Sequence, residues 1–216
     1  MNQSFAVLGL GRFGRKIADS LIDGNADVLV ADRDEEIVKS YAQKATNAVV
    51  AELSDETALR SIGISSVDVV ILAMGENLEA SILSAMVAKE LGVSRVIAKA
   101  ASRRMGEILL KVGADEIIYP EEEAAFRTAK KLLSTNFIDY YELGESLSLV
   151  EMHPKKDWVG HSLKELDLRQ NLGLNVVAVR EPGDSYIHIR PDVPLTEASE
   201  MLIVAEQNSL KALDGK

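Results

Sequence analysis

Three glycines, Gly9, Gly11 and Gly14, stand at G-x-G-x-x-G spacing directly after the apolar run Phe5-Ala6-Val7-Leu8. In that pattern the first glycine permits a tight turn out of a strand and the second lets backbone approach a pyrophosphate. The third allows the following helix to pack close to the sheet, and the helix start offers unpaired N–H groups and a positive dipole end to the phosphates. Asp32, eighteen residues beyond Gly14, ends a second apolar run, Asp27 to Asp32. A carboxylate there accepts hydrogen bonds from both ribose hydroxyls of an adenosine and repels a 2′-phosphate. Arg12 sits inside the glycine loop, where it can donate to phosphate oxygens; a solvated arginine on the first helical turn is the alternative.

These residues need a strand, a helix and a second strand to hold them, and the sequence supplies that pattern. Phe13, Ile17 and Leu21 recur at helical spacing and Gly24 closes the helix. Alternation then continues. Ile37, Val38 and Tyr41 mark a helix and Ala48 to Val50 a strand, and Ser54 is expected to cap a short helix through Leu59 and Ile62. Val67 to Ala73 reads as a strand buried on both faces, and Glu79 to Leu91 as the longest helix, with Ile82, Leu83, Met86 and Val87 on one stripe. A strand over Arg95 to Lys99, a helix through Ile108, Leu109 and Val112, and a strand over Glu116 to Tyr119 complete a Rossmann-like, doubly wound parallel sheet. Ligands in such sheets bind at the carboxyl ends of the strands, which gathers the glycine loop with Phe13, Asp32 and Arg33. The segment after the fourth strand, Ala73 to Asn77 with Ala73, Met74 and Gly75 as binding candidates, and Lys99 at the end of the fifth, fall around the same crevice.

From Pro120 the character changes. Glu121 to Glu123 open a helix through Phe126, Ala129, Leu132 and Leu133, and Ile138 to Gly144 reads as a linker. Leu147 to Met152, Leu174 to Arg180, Tyr186 to Arg190 and Glu200 to Ala205 read as strands, and Ser162 to Glu165 as a capping-box helix start. Two domains are expected: residues 1–137, the nucleotide-binding sheet, and 138–216, a small α+β domain with Trp158 as a core anchor.

With 47% hydrophobic residues, 216 residues supply ample core. A formal net charge of -10 argues against nucleic acid as partner and against adsorption to anionic lipid. There is no cysteine, hence no disulfide or thiolate metal site. A strand beginning almost at Met1 leaves no room for a signal peptide, and no apolar run approaches a membrane span, so a cytoplasmic location is expected. His153, His161 and His188 lack ligand spacing, and each is best read as a packing or surface residue. A nucleotide pocket without evident acid–base chemistry points to sensing.

The run Phe5 to Gly14, Val30-Ala31-Asp32, Val69 to Gly75, Gly113-Ala114-Asp115 and Ile117 to Glu121 resemble the RCK domains that regulate potassium conductance. The second half, with Leu163 to Arg169 and Asn175 to Val179, resembles the C-terminal RCK subdomain. The resemblance spans the chain and is greatest to the bacterial Ktr and Trk regulatory subunits. It implies a homo-oligomer, dimers assembling to an octameric ring, on the cytoplasmic face of a potassium-translocating membrane subunit. ATP or ADP, or NAD or NADH, would bind the Rossmann crevice and change the ring's shape. Arg12 would also serve a neighbouring subunit's ATP, and the helix Glu79 to Leu91 would supply apolar dimer surface or internal core. Glu121 matches a family position where a carboxylate meets Mg²⁺ or Ca²⁺ beside the phosphates, dipole compensation at a helix start being the alternative. Cyclic di-AMP binds between paired C-terminal subdomains in Gram-positive relatives. Arg169 is the phosphate candidate there and Asn175 a base or phosphate partner; a last-turn helix cation is the other reading of Arg169. Two further classes stay open: a small NAD-dependent oxidoreductase, and a free-standing nucleotide or redox sensor with a soluble partner.

Overall fold

The computed structural model describes residues 3–134, 136–144, 146–183 and 189–211. The chain divides into two compact units, Met1–Glu121 and Glu122–Lys216.

The first unit alternates strand and helix: β1 (Ser4–Leu8), α1 (Arg12–Asp23), β2 (Asp27–Asp32), α2 (Glu35–Tyr41), β3 (Asn47–Val50), α3 (Glu56–Ser61), β4 (Val69–Leu72), α4 (Leu78–Glu90), β5 (Arg95–Lys99), α5 (Arg103–Lys111) and β6 (Glu116–Ile118). The strands form one parallel sheet in the order β3-β2-β1-β4-β5-β6. Because the chain winds one way from β1 and then crosses to the other side at β4, the topology reverses between β1 and β4. A crevice opens at their carboxyl ends. The near-continuous apolar runs follow from burial on both faces. Val69 and Ile71 of β4 join one core with Val7, Val30 and Tyr41, whereas Val70 and Leu72 join the other with Leu8, Leu59 and Leu109.

Asp55, not Ser54, caps α3, accepting from the N–H groups of Thr57 at 2.8 Å and Ala58 at 3.4 Å. The Ser54 hydroxyl instead donates to Glu52 at 2.8 Å. On α4 only part of the expected stripe packs inward: Val87 does, and Met86 does not. Ala80, Ser81, Ser84, Ala85, Val87 and Ala88 are buried, Ile82 and Leu83 are only partly covered, and Met86 is exposed. Small residues let the helix approach the sheet closely, with Ile82 and Leu83 packed at the edge of that core and Met86 turned outward.

The helix expected after Pro120 is α6 (Pro120–Leu133), with proline in the first turn, where its missing N–H costs nothing. Sequence placed the domain boundary after this helix, at residue 137; the division into compact units falls in its first turn, after Glu121.

The second unit contains four strands, β7 (Phe137–Leu143), β8 (Leu147–Met152), β9 (Leu174–Arg180) and β10 (Glu200–Glu206), in an antiparallel sheet of order β7-β8-β10-β9. The segment read as a linker is therefore a strand. Phe137 and Tyr140 point into the core, but the register shifts between Phe137 and Asp139, so the alternation that would betray a strand is broken and its acids dominate the pattern. Then come α7 (Leu163–Leu166), α8 (Leu168–Leu172), β9, β10 and α9 (Gln207–Lys211). Ser162 and Glu165 form the expected capping box: Ser162 Oγ accepts from the Glu165 N–H at 3.3 Å, and Glu165 accepts from the Ser162 N–H at 2.8 Å. Trp158 is buried among Val150, Met152, Leu168 and Met201, as expected of an anchor. His153 Nδ1 lies 3.0 Å from the Ser199 carbonyl, and His161 is exposed. The strand expected from Tyr186 to Arg190, and with it His188, falls largely outside the described residues. Among the described residues no helix is long and apolar enough to cross a membrane.

Candidate functional site

β1 ends at Leu8, paired with Ala31 of β2 and Leu72 of β4, and the ladder runs one step further on each side. The Gly9 N–H donates to the Ala31 carbonyl and the Ala73 N–H to that of Leu8, both at 2.8 Å. Gly9 then turns with φ +92°, a left-handed conformation that a side chain would strain. Gly14 is fixed by a different constraint. A Cβ on it would stand 1.9 Å from the Gly9 carbonyl oxygen and 3.0 Å from the Ala73 Cβ, so α1 can lie against its own loop only without one. At Gly11 a Cβ would meet nothing within 4 Å. The backbone there faces open space directly before α1, whose start has no side-chain cap and no acidic residue in its first turn. Such a helix start is complementary to an anion.

Asp32 ties the two halves of this corner together. Its Oδ2 accepts from the Leu10 N–H at 2.5 Å and its Oδ1 from the Asp34 N–H at 2.9 Å. Each carboxylate oxygen keeps a further lone pair, so the group that fixes the glycine loop can still accept from two hydroxyls.

A cavity of about 810 Å³ opens over this corner. Gly9, Gly11, Arg12, Phe13, Asp32, Arg33, Ala73, Met74, Gly75, Lys99 and Glu121 all line it. Gly14 does not; it lies beneath the loop, and its role is packing. Arg169 and Asn175 belong to the second unit, exposed on α8 and β9, with Arg169 in the last turn of its helix.

Glu121 meets a cation of the chain's own. Its Oε1 lies 2.6 Å from Lys99 Nζ, and that hydrogen bond holds the carboxyl below the usual carboxylate range. Lys99 Nζ also sits 5.7 Å from the centre of the Phe13 ring. Among the described residues no group of three or more His, Cys, Asp or Glu side chains could hold a metal ion.

Asn77, the end of the segment expected at the crevice, lines the cavity too, and the wall includes residues that sequence reasoning passed over: Asp34, Ile37, Glu52 and Leu53. Ile37 and Leu53 add apolar side chains to the wall. The Ser54 hydroxyl lowers the pKa of Glu52, which stays ionised at this rim. The signal available for them was topological: Glu52 and Leu53 follow β3 at the carboxyl side of the sheet, as Asn77 follows β4. Asn77 was legible also as a helix cap, its side chain accepting from the Ala80 N–H at 3.0 Å.

The chain matches the TrkA-N domain over residues 5–120 and the TrkA-C domain over residues 147–215. It is 42% identical over 180 residues to the Ktr system potassium uptake protein C of Bacillus subtilis, covering 83% of this chain and 81% of that protein. To the Ktr system potassium uptake protein A of the same organism it is 33% identical, covering 100% of this chain and 97% of the relative. Among solved structures, the GsuK channel bound to NAD superposes with a TM-score of 0.68 over 100% of this chain at 18% identity. This chain spans 40% of that channel's length, and the likeness establishes the shared fold. With both domain matches in chain order, and relatives above 30% identity over most of its length, the chain belongs to the TrkA/Ktr family of potassium-uptake proteins, the family of RCK domains.

Proposed function

We propose that the chain is a cytosolic, nucleotide-binding regulatory subunit of a potassium uptake system and not an enzyme. It would work as a homo-oligomer, dimers assembling to an octameric ring, held at the membrane by a potassium-translocating partner. ATP or ADP, or NAD or NADH, would enter the cleft of the first unit. The observation that carries this reading is the convergence of Gly11, the uncapped start of α1 and Asp32 on one cavity, in a chain of the TrkA/Ktr family. Phosphates would lie over Gly11 against the α1 amides, the ribose hydroxyls on Asp32, and the base between Ile37 and Leu53. A ligand shifts the partner's gate only by its differential affinity for two states of the ring, and one further phosphate contacted in one state is enough. Co-purification with a polytopic membrane protein tests the partnership, and turnover of NADH with candidate ketones would contradict it.

Arg12, exposed in the first turn of α1, is the phosphate donor in this reading. Arg12→Ala should weaken ATP by about 1.5–3 kcal/mol, the worth of one charge-assisted hydrogen bond, and adenosine far less. Calorimetry with both ligands decides it, and equal losses would contradict the assignment. A divalent cation, Mg²⁺ or Ca²⁺, could join Glu121 only together with phosphate oxygens, and it would have to take that carboxylate from Lys99.

Cyclic di-AMP is the proposed second ligand, bound across paired copies of the second unit. A symmetric dianion on a two-fold axis needs one cation from each copy, and Arg169 supplies it, with Asn175 of β9 following α8 in the chain. Arg169→Ala in the full chain should reduce binding at least tenfold, as a lost charge-assisted hydrogen bond requires. Unchanged binding would move the site elsewhere.

A further inference from the structure

We propose that Lys99 is the residue by which the cleft discriminates nucleotides according to phosphate charge, and that Glu121 competes with that charge for the Lys99 ammonium. The inference rests on the nucleotide reading of the cleft and adds to it a specificity determinant and an internal competitor. The two partners of the ion pair differ in freedom. The Lys99 side chain is 14% exposed, whereas that of Glu121 is 69% exposed. The lysine stem runs over Gly75 so closely that a Cβ there would stand 3.0 Å from its Cδ and Cε, and its ammonium lies by the Phe13 ring. Gly75, Phe13 and Lys99 all line the cavity that holds the Gly11 backbone, so the cation is confined where phosphates would extend from the glycine loop.

Glu121 is solvated and can swing into water at little cost, since exposed ion pairs are weak. An ammonium has three donors, but a carboxylate beside it cancels the charge that a terminal phosphate would seek. A terminal phosphate that extends from the glycine loop to Lys99, bearing close to two charges, wins that exchange against one carboxylate. A single phosphate held over Gly11 would stop short of the ammonium and a nucleoside has none, so both gain little from it. Glu121 stands in the first turn of α6, the helix by which the chain passes from its first unit to its second. Its release therefore alters the charge at the start of that helix, where a free carboxylate is favourable.

The test is calorimetry on the full chain in EDTA, which removes divalent cations, with ATP, ADP and AMP compared against adenosine. Lys99→Met keeps most of the stem and should weaken ATP roughly tenfold, with the loss shrinking from ATP to ADP to AMP. Glu121→Gln should act in the opposite direction, tightening ATP roughly two- to fivefold. The double variant should match Lys99→Met, because the competitor has nothing left to compete for. Weaker or unchanged ATP binding by Glu121→Gln would overturn the proposal, as would equal losses for all four ligands by Lys99→Met. Should Lys99→Met fail to fold, the sign of the Glu121→Gln effect decides alone. If the unaltered chain binds neither ATP nor ADP, the nucleotide reading itself falls; if it binds both and only the Glu121→Gln sign is wrong, the competition alone is lost.

Discussion

Asp32→Ala is expected to lower the affinity for ATP, ADP and NAD alike by about 2–4 kcal/mol, roughly 30- to 1,000-fold, because all three share the adenosine ribose. Two effects add. The variant loses the acceptors for both ribose hydroxyls, and it frees the Leu10 and Asp34 N–H groups that the carboxylate holds in place. Asp32→Asn separates the two: an amide oxygen can still accept one of those backbone bonds, so its loss should be smaller than that of alanine. Calorimetry with the three ligands checks this, and unchanged affinity for any of them would remove the ribose from Asp32.

Gly14→Ala should damage the fold itself. Its added methyl would stand 1.9 Å from the Gly9 carbonyl oxygen, a backbone atom that no rotamer change can move aside. The start of α1 has to shift, at a cost on the order of 3 kcal/mol. For a chain of this size that is a fall of roughly 6–12 °C in Tm, read by thermal unfolding. Gly11→Ala is the contrast. The position is open, so Tm should hardly change, yet the methyl occupies the space that a pyrophosphate would approach. Loss of nucleotide binding with normal Tm at Gly11, beside lost stability at Gly14, would separate the binding glycine from the packing glycine. The reverse pattern would contradict the geometry described for the loop.

β2 and β5 fall at the expected residues, Asp27–Asp32 and Arg95–Lys99, because parallel strands buried on both faces must be apolar runs ended by polar residues. The glycine loop and Asp32 were legible because each is demanded by backbone geometry or by a charge at a fixed distance along the fold. What escaped depended on neighbours far along the chain. The Lys99–Glu121 pair joins residues 22 apart, and only the approach of β5 to the start of α6 reveals it. Ile37, Glu52 and Leu53 carry no motif, and they become cavity wall through the order of strands. The outward turn of Met86 reflects how closely α4 lies on the sheet, and its hydrophobic pattern alone suggested the opposite. β7 was hidden by the irregular register beside Asp139.

If nucleotide in this cleft controls potassium movement through a partner, potassium flux through the partner membrane subunit in proteoliposomes, with this chain added and ATP or ADP titrated against it, reads that control directly. Flux should change with nucleotide in the presence of the unaltered chain, and should lose that response with Asp32→Ala. Flux that ignores nucleotide while the same preparation of the chain binds it would contradict the account.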